Sequence, residues 1–277
     1  MADIGKINNL RIVKQVDFGL YLDGGDDGEI LLPRRYQPDE WMIDEYIDVF
    51  VYLDSEDIPI ATTETPRIQV GECAFLRVVE SNRIGAFLDW GLTRDLFVPH
   101  SEQRVPMEVN RMYVVYCYVD KSGRIAATSR FQRYLPERVE PDMFEENQAV
   151  DLLITGKSDL GFKAVVNGEA MGLIHHNEIL SPIRAGQRMV GYIREIRGDG
   201  KLNLSLQPGG QEMRNDLEQQ ILNHLKGHDG MMTLTDKSAP EAIFNTFGVS
   251  KGNFKKALGK LYKQKLITIE PKKVTLN

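Results

Sequence analysis

Only two cysteines occur in the 277 residues, Cys73 and Cys117, each alone in an apolar, strand-like run. A structural zinc site takes about four ligands and a redox pair usually reads C-x-x-C, so neither chemistry fits them. They read instead as buried, reduced thiols of a cytoplasmic protein. No stretch of about eighteen apolar residues exists, which excludes a membrane-spanning helix. The opening "MADIGKINNL" has neither a basic start nor an apolar core, so no secretory signal is expected.

Catalytic chemistry is equally thin. There is no glycine-rich phosphate loop. "DGGDDGE" is acidic but sets Gly25 at a ligand position and Arg34 where a calcium loop closes on Glu, so it reads as a solvated turn. His175 and His176 are adjacent on an expected strand and point to opposite faces. "PHSE" at 99–102 has no nucleophile elbow around it. No enzyme, metal or cofactor is expected.

What the chain does have is a pattern written three times. "FGLYLDGGDDGEILLP", "IGAFLDWGLTRDLFVP" and "LGFKAVVNGEAMGLIH" align on Gly19, Gly85 and Gly161. Each second strand closes fourteen residues later, at Pro33, Pro99 and His175. Leu10, Leu76 and Leu152 lie nine residues upstream. A late strand passes forty-two residues downstream, through Ala61, Ala127 and Asn203, with no net insertion expected. Each copy is a set of short Val-, Ile-, Leu- and Tyr-rich runs cut by Gly, Asp and Asn turns, about five strands in all. Units of that length close as small OB-type barrels. They are placed at 1–65, 66–133 and 146–209, with the acidic, proline-bearing stretch 134–145 as a linker. Alternation in "GAFLDW" puts Ala86 and Leu88 on one face and Phe87 on the other. Phe162, in step with Ala164 and Val166, is expected inside its barrel.

After Gln207 the period changes from two to 3.6. Residues 211–277 read as an amphipathic helix carrying Leu217, Ile221, Leu222 and Leu225, then a second helix ending at Gly248. Ser250 caps a third helix with Phe254, Ala257, Leu258, Leu261 and Tyr262 as its apolar stripe, and two short strands turn around Pro271 and Lys272. That order is a winged helix-turn-helix. The fold class is therefore mainly β with a small α+β end.

Charge divides along the same lines. The chain carries a net −6, yet residues 250–277 hold eight lysines against Glu270 alone. Residues 1–66 hold 5 basic and 15 acidic side chains, 67–133 hold 10 and 7, and 134–210 hold 8 and 11. Lys256, Lys260 and Lys263, with Lys251 and Lys255 beside them, form a one-signed stripe off the apolar face of the third helix, and Lys272 and Lys273 add to it at the wing. Such a stripe suits contact with phosphate. A solvated face that merely aids solubility is the plain alternative.

The layout "G-x-F-x-D … GLIHHNEI … GKLNLSL" is similar to the S1 RNA-binding domain, an OB-fold. "FGVSKGNFKKALGKLYKQKLI" resembles the recognition-helix region of GntR-like regulators. "VFVYLDSEDIPIATTE", "GAFLDWGLTRDLFVP" and "DLGFKAVVNGEAMGLIH" together resemble the conserved virulence factor B (CvfB-like) family, over essentially the whole chain. The resemblance implies three S1-like OB-fold barrels followed by a winged helix, acting on gene expression through RNA in bacteria. It also implies binding positions: aromatics flanking the anchor glycine, a His at the strand end, and an Asp and a basic residue on the late strands. Carried over, these are Phe18 and Tyr21 with Asp54 in the first copy; Phe87, Asp120 and Arg124 in the second; and His175 and Lys201 in the third. Departures are Pro33 and Ile58 in the first, Ile84 and Pro99 in the second, and Leu160, Lys163 and Arg197 in the third. No copy has the full set, so binding is expected to be spread over several modules.

Single-stranded RNA is the favoured partner, held by stacking and charge. Duplex DNA read by the winged helix, with the barrels sensing or oligomerising, is the alternative. Against it stand a third helix with Lys and Asn253 as its exposed polar groups and a very short wing. A third reading makes the acidic first barrel the dock for a ribosomal or RNA-processing protein. Trp90, beside the turn after the Phe87 strand, reads either as a base platform or as packing against a neighbouring domain.

Overall fold

The computed structural model describes residues 2–179, 181–208 and 211–277, the last stretch with side chains from 217 onward. It comprises two compact units, divided between Pro136 and Glu137. Among the described residues no helix is long and apolar enough to cross a membrane.

The first unit holds two barrels. β1 (Ile7–Val16), β2 (Gly19–Asp23), β3 (Glu29–Pro33), β4 (Tyr46–Leu53) and β5 (Pro59–Thr62) close in the order β1-β2-β3-β5-β4. β6 (Cys73–Ser81), β7 (Gly85–Asp89), β8 (Leu96–Pro99), β9 (Met112–Val119) and β10 (Ile125–Thr128) repeat that topology. Here the hydrogen-bonded ladder runs β10-β9-β6-β7-β8, and β10 lies beside β8 at the last seam. Phe50 of the first barrel is buried in the core of the second and meets Trp90 edge-on at 5.6 Å. Trp90 is 4% exposed and donates its indole N–H to the Arg94 carbonyl, so it is packing and not a base platform. Both cysteines are buried and neither is in a disulfide, and burial pushes the Cys117 thiol up to about 12.

The second unit begins with a third closed barrel. Its strands are β11 (Ala149–Ser158), β12 (Gly161–Val166), β13 (Ala170–His175), β14 (Arg188–Ile196) and β15 (Leu202–Ser205). Val139 and Phe144, in the stretch upstream of β11, are buried in its core. Phe162 packs against that core as alternation requires, in the place of Leu20 and Ala86.

The anchor glycines have a shared physical reason. Gly19, Gly85 and Gly161 pair with Pro33, Pro99 and His175 across their hairpins. A Cβ on any of them would run into the carbonyl oxygen of Leu32, Val98 or Ile174. Only glycine lets the strands approach that closely. Each first strand also carries a β-bulge six residues before its anchor, at Val13, Val79 and Thr155.

One expectation of register fails. Val51, Cys117 and Ile193 are equivalent, and they pair with Ala61, Ala127 and Leu204. The third copy bulges at Arg194, which inserts a residue into β14, so Leu204 and not Asn203 matches Ala61 and Ala127. His176 also leaves the strand: it opens a 3-10 turn, His176–Glu178, instead of continuing β13.

The chain ends in a winged helix: α1 (Gln211–Gly227), β16 (Met231–Met232), α2 (Pro240–Phe247), α3 (Lys251–Lys263), β17 (Ile267–Ile269) and β18 (Val274–Leu276). β16 is an addition to the expected pair, and the sheet order is β16-β18-β17. Gly248 ends α2 in the left-handed region at φ 67°, and Ser250 caps α3 by accepting from the Asn253 N–H. Phe254, Ala257, Leu258 and Leu261 are buried, whereas Tyr262 is 56% exposed. Tyr262 was expected in the stripe; eight residues on, helical twist has carried it past the core edge.

Candidate nucleic-acid interface

Strand register sets equivalent positions of each barrel side by side on an outer face. The pairs are Tyr21 with Leu31, Phe87 with Phe97, and Lys163 with Leu173. In the first barrel Phe18 is 58% exposed and meets Tyr21 edge-on at 6.3 Å. Lys14 lies over the Tyr21 ring at 4.9 Å and is tied to Glu29 at 2.6 Å, so the cation there is already neutralised.

In the second barrel Phe87 is half-exposed and rests on Phe97 at 5.1 Å. Asp120 is spent on its own turn, accepting from the Ser122 N–H and hydroxyl at 2.8 and 2.6 Å. Burial pushes its carboxyl up, but the bonds from Ser122 and the Arg124 N–H outweigh that and hold it below the usual range. Arg124 grips Asp57 of the first barrel with two bonds, 2.6 and 3.0 Å. That fork raises the guanidinium's pKa and lowers that of Asp57. The resemblance placed Arg124 among the RNA-binding residues; in the structure its guanidinium is bonded to a carboxylate.

In the third barrel His175 Nε2 lies 3.1 Å from Asn203 Oδ1, while Asn203 Nδ2 donates to Glu195 at 2.8 Å. Because Asn203 Nδ2 is the donor to Glu195, its Oδ1 is the acceptor and Nε2 the donor in this contact. Lys163, paired with Glu137 at 2.7 Å, Leu160 and Lys201 line a shallow groove with Arg197.

The lysines of α3 divide. Lys260 sits 3.0 Å from Glu218, whose side chain is 10% exposed, so Lys260 braces α3 against α1. Lys255 and Lys263 are exposed, and Lys272 and Lys273 lie at the wing, Lys273 3.5 Å from Glu270. Lys251 and Lys256 instead face a cleft of about 600 Å³ between α3 and the third barrel. Opposite them stand His176, Tyr192 and Arg194, the last ion-paired with Glu178. Asn253 and Ser250 complete the α3 wall, at the positive N-terminal end of that helix. The cleft therefore combines a ring, two lysines outside the cleft's ion pair and several amides.

No stretch of sequence announced this cleft. "HHNEI" drew attention to His175 alone, and residues 176 and 256 come together only through the third dimension. The Arg194 bulge, which aims that side chain, is visible only as an extra residue between Ile193 and Leu204.

Three five-stranded barrels and a basic winged helix define a multi-module protein of nucleic-acid-binding folds. The S1 domain family model matches residues 4–64 and 70–130, and the CvfB-like winged helix domain model matches 219–276. Conserved virulence factor B of Staphylococcus saprophyticus is 30% identical over 290 residues, covering 99% of this chain and 94% of that protein. The uncharacterized protein YitL of Bacillus subtilis is 29% identical, covering 94% and 89%. A solved structure from Streptococcus pneumoniae, described as a multidomain protein with nucleic acid binding domains, is 26% identical over 99% and 98% of the two chains, with a TM-score of 0.41. The chain belongs to the conserved virulence factor B family. Neither matched family model is that of an enzyme.

Proposed function

We propose that this protein binds single-stranded RNA to regulate gene expression, and that the second unit supplies the principal grip. The observation that supports this most is the cleft in which Lys251, Asn253 and Lys256 face Tyr192, His176 and Arg194. A single strand needs a positive track and a ring on which a base can stack, each stack contributing about 1–3 kcal/mol. The outer groove with Lys163 and Lys201 lies on the same barrel and extends the surface available to the strand.

Duplex DNA fits this reading poorly. A recognition helix reads base edges with its N-terminal residues inside a groove about 12 Å wide. Here Lys251, Asn253 and Lys256 look across a cleft at another module. The second barrel contributes less than its net charge suggests, because Arg124 is held by Asp57.

The test is fluorescence anisotropy of the full chain with single-stranded RNA of about 12 nucleotides, the same sequence as single-stranded DNA, and a duplex DNA. Tightest binding to RNA, with the duplex weakest, supports the reading. Preference for the duplex, or no association with any of the three at low salt, refutes it.

A further inference from the structure

The residue that leaves the third barrel, Gln207, has an arrangement of bonds that neither module needs for its own fold. Its backbone N–H donates to Ser205 Oγ at 3.1 Å, in a local turn just past the end of β15. Its side chain reaches the corner between α2 and α3. Nε2 donates to the Gly248 carbonyl at 2.6 Å, and Oε1 accepts from the Ser250 N–H at 3.2 Å.

Those two backbone groups are the ones a helix-turn-helix corner leaves over. Gly248 has donated its N–H to Phe244 to end α2, and its carbonyl points out of the helix. Ser250 caps α3 with its side chain, and its own N–H precedes the helical ladder. One primary amide satisfies both, donor to acceptor and acceptor to donor, and only Asn and Gln carry such a group. From this position the extra methylene of Gln gives the reach.

We propose that Gln207 is a positioning residue: it locks the α2–α3 corner to the third barrel so that the cleft is assembled before nucleic acid arrives. The inference rests on the cleft reading above. With the lock in place, Lys251 and Lys256 are held opposite Tyr192 and Arg194, and a strand meets one rigid surface. Without it, the winged helix loses two bonds to the residue that leaves the barrel, and binding must bear more of the cost of ordering the two modules. Gln207 carries no charge, so its effect on affinity is independent of salt.

The experiment uses the full chain with two substitutions. Gln207→Met keeps the length and removes both bonds. Gln207→Glu keeps the acceptor for Ser250 and turns a carboxylate oxygen toward the Gly248 carbonyl. Backbone 15N relaxation of the free proteins reports whether the winged helix tumbles with the third barrel, and RNA titrations over a salt series give Kd and its slope. In both variants the winged helix is expected to acquire motion independent of the barrel. In Gln207→Met, Kd is expected to rise about tenfold with an unchanged slope, the equivalent of about 1.4 kcal/mol for one or two net hydrogen bonds; Gln207→Glu also adds a carboxylate to the cleft lining and is read by its tumbling alone. Three results overturn the proposal: unchanged tumbling in both variants, or, in Gln207→Met, altered tumbling with unchanged Kd or a salt slope that falls with the affinity. If the unaltered protein binds no RNA, the functional reading fails, while the relaxation arm still decides whether Gln207 fixes the corner.

Discussion

Lys260→Ala separates a lysine that supports the fold from lysines that meet a ligand. Its ammonium lies 3.0 Å from the Glu218 carboxylate, which is 10% exposed, while Lys260 itself is 44% exposed. Truncation leaves a charged group inside α1's packed face without its counter-ion. For a fully buried pair, losing one partner costs about 3–5 kcal/mol. Water reaches the open Lys260 side, so the figure here is discounted to about 1–3 kcal/mol. In a domain of this size each kcal/mol moves Tm by about 4–8 °C, which gives a fall of roughly 10 °C. Circular dichroism at 222 nm isolates the event, because α1, α2 and α3 all lie in the winged helix. Adding Glu218→Gln should recover more than half of the loss, since a neutral amide no longer needs the cation. A Tm unchanged in Lys260→Ala, together with an RNA defect as large as that of Lys256→Ala, would refute the assignment and make Lys260 a phosphate ligand.

Lys251→Ala with Lys256→Ala should weaken RNA at all sequences and lower the slope of log K against log salt by about 1.4, at roughly 0.7 per phosphate contact on a single strand; an unchanged slope removes α3 from the interface. Asp57→Asn frees Arg124 and should tighten RNA binding and steepen the salt slope by about 0.7; no change shows that the second barrel's face stays out of contact. The same pair gives a pH signature. The folded pKa of Asp57 is depressed, so its stabilising contribution is present above the ordinary carboxylate range and is lost as pH falls through the lowered value, and Asp57→Asn should abolish that part of the acid transition of the first unit. Trp90→Ala should cost about 3–5 kcal/mol in urea unfolding of the first unit, because the indole fills the seam against Phe50, and a loss below 1 kcal/mol would contradict its burial.

The barrels were legible because their constraints are local. An anchor glycine pressed against a carbonyl, alternation over five residues and a turn fourteen residues wide are each written in contiguous sequence, so Gly19, Gly85 and Gly161 could be found without coordinates. The winged helix was legible for the same reason, through the Ser250 cap and the Phe254, Ala257, Leu258 and Leu261 stripe. What could not be read was which charge pairs with which. Asp57 and Arg124 are sixty-seven residues apart, and nothing in either neighbourhood says that one barrel's carboxylate will occupy the other's guanidinium. Lys260 looks identical to Lys256 on a helical wheel until α1 is docked beneath it. The bulge at Arg194 was hidden because one extra residue in a strand leaves hydrophobic content unchanged and alters only the pairing.

Repetition of one barrel frees each copy to keep its interior and change its face. The inward positions after the anchor stay apolar in all three copies, as Leu20, Ala86 and Phe162, then Leu22, Leu88 and Ala164. The outward neighbours change character: Tyr21, Phe87 and Lys163. The first barrel has surplus carboxylates and donates one, Asp57, to quiet the second; the third has Lys163 where the others set an outward ring, and keeps His175 and Lys201. A net charge of −6 is compatible with gripping phosphate because the largest excess of acids lies in the first barrel and the lysines are gathered at the other end of the chain. If that ordering holds, exchanging the faces should move the binding: Lys163→Tyr with Lys201→Ile rebuilds the first barrel's surface on the third, and RNA affinity should fall while the melting of the third barrel, whose core is untouched, stays where it was.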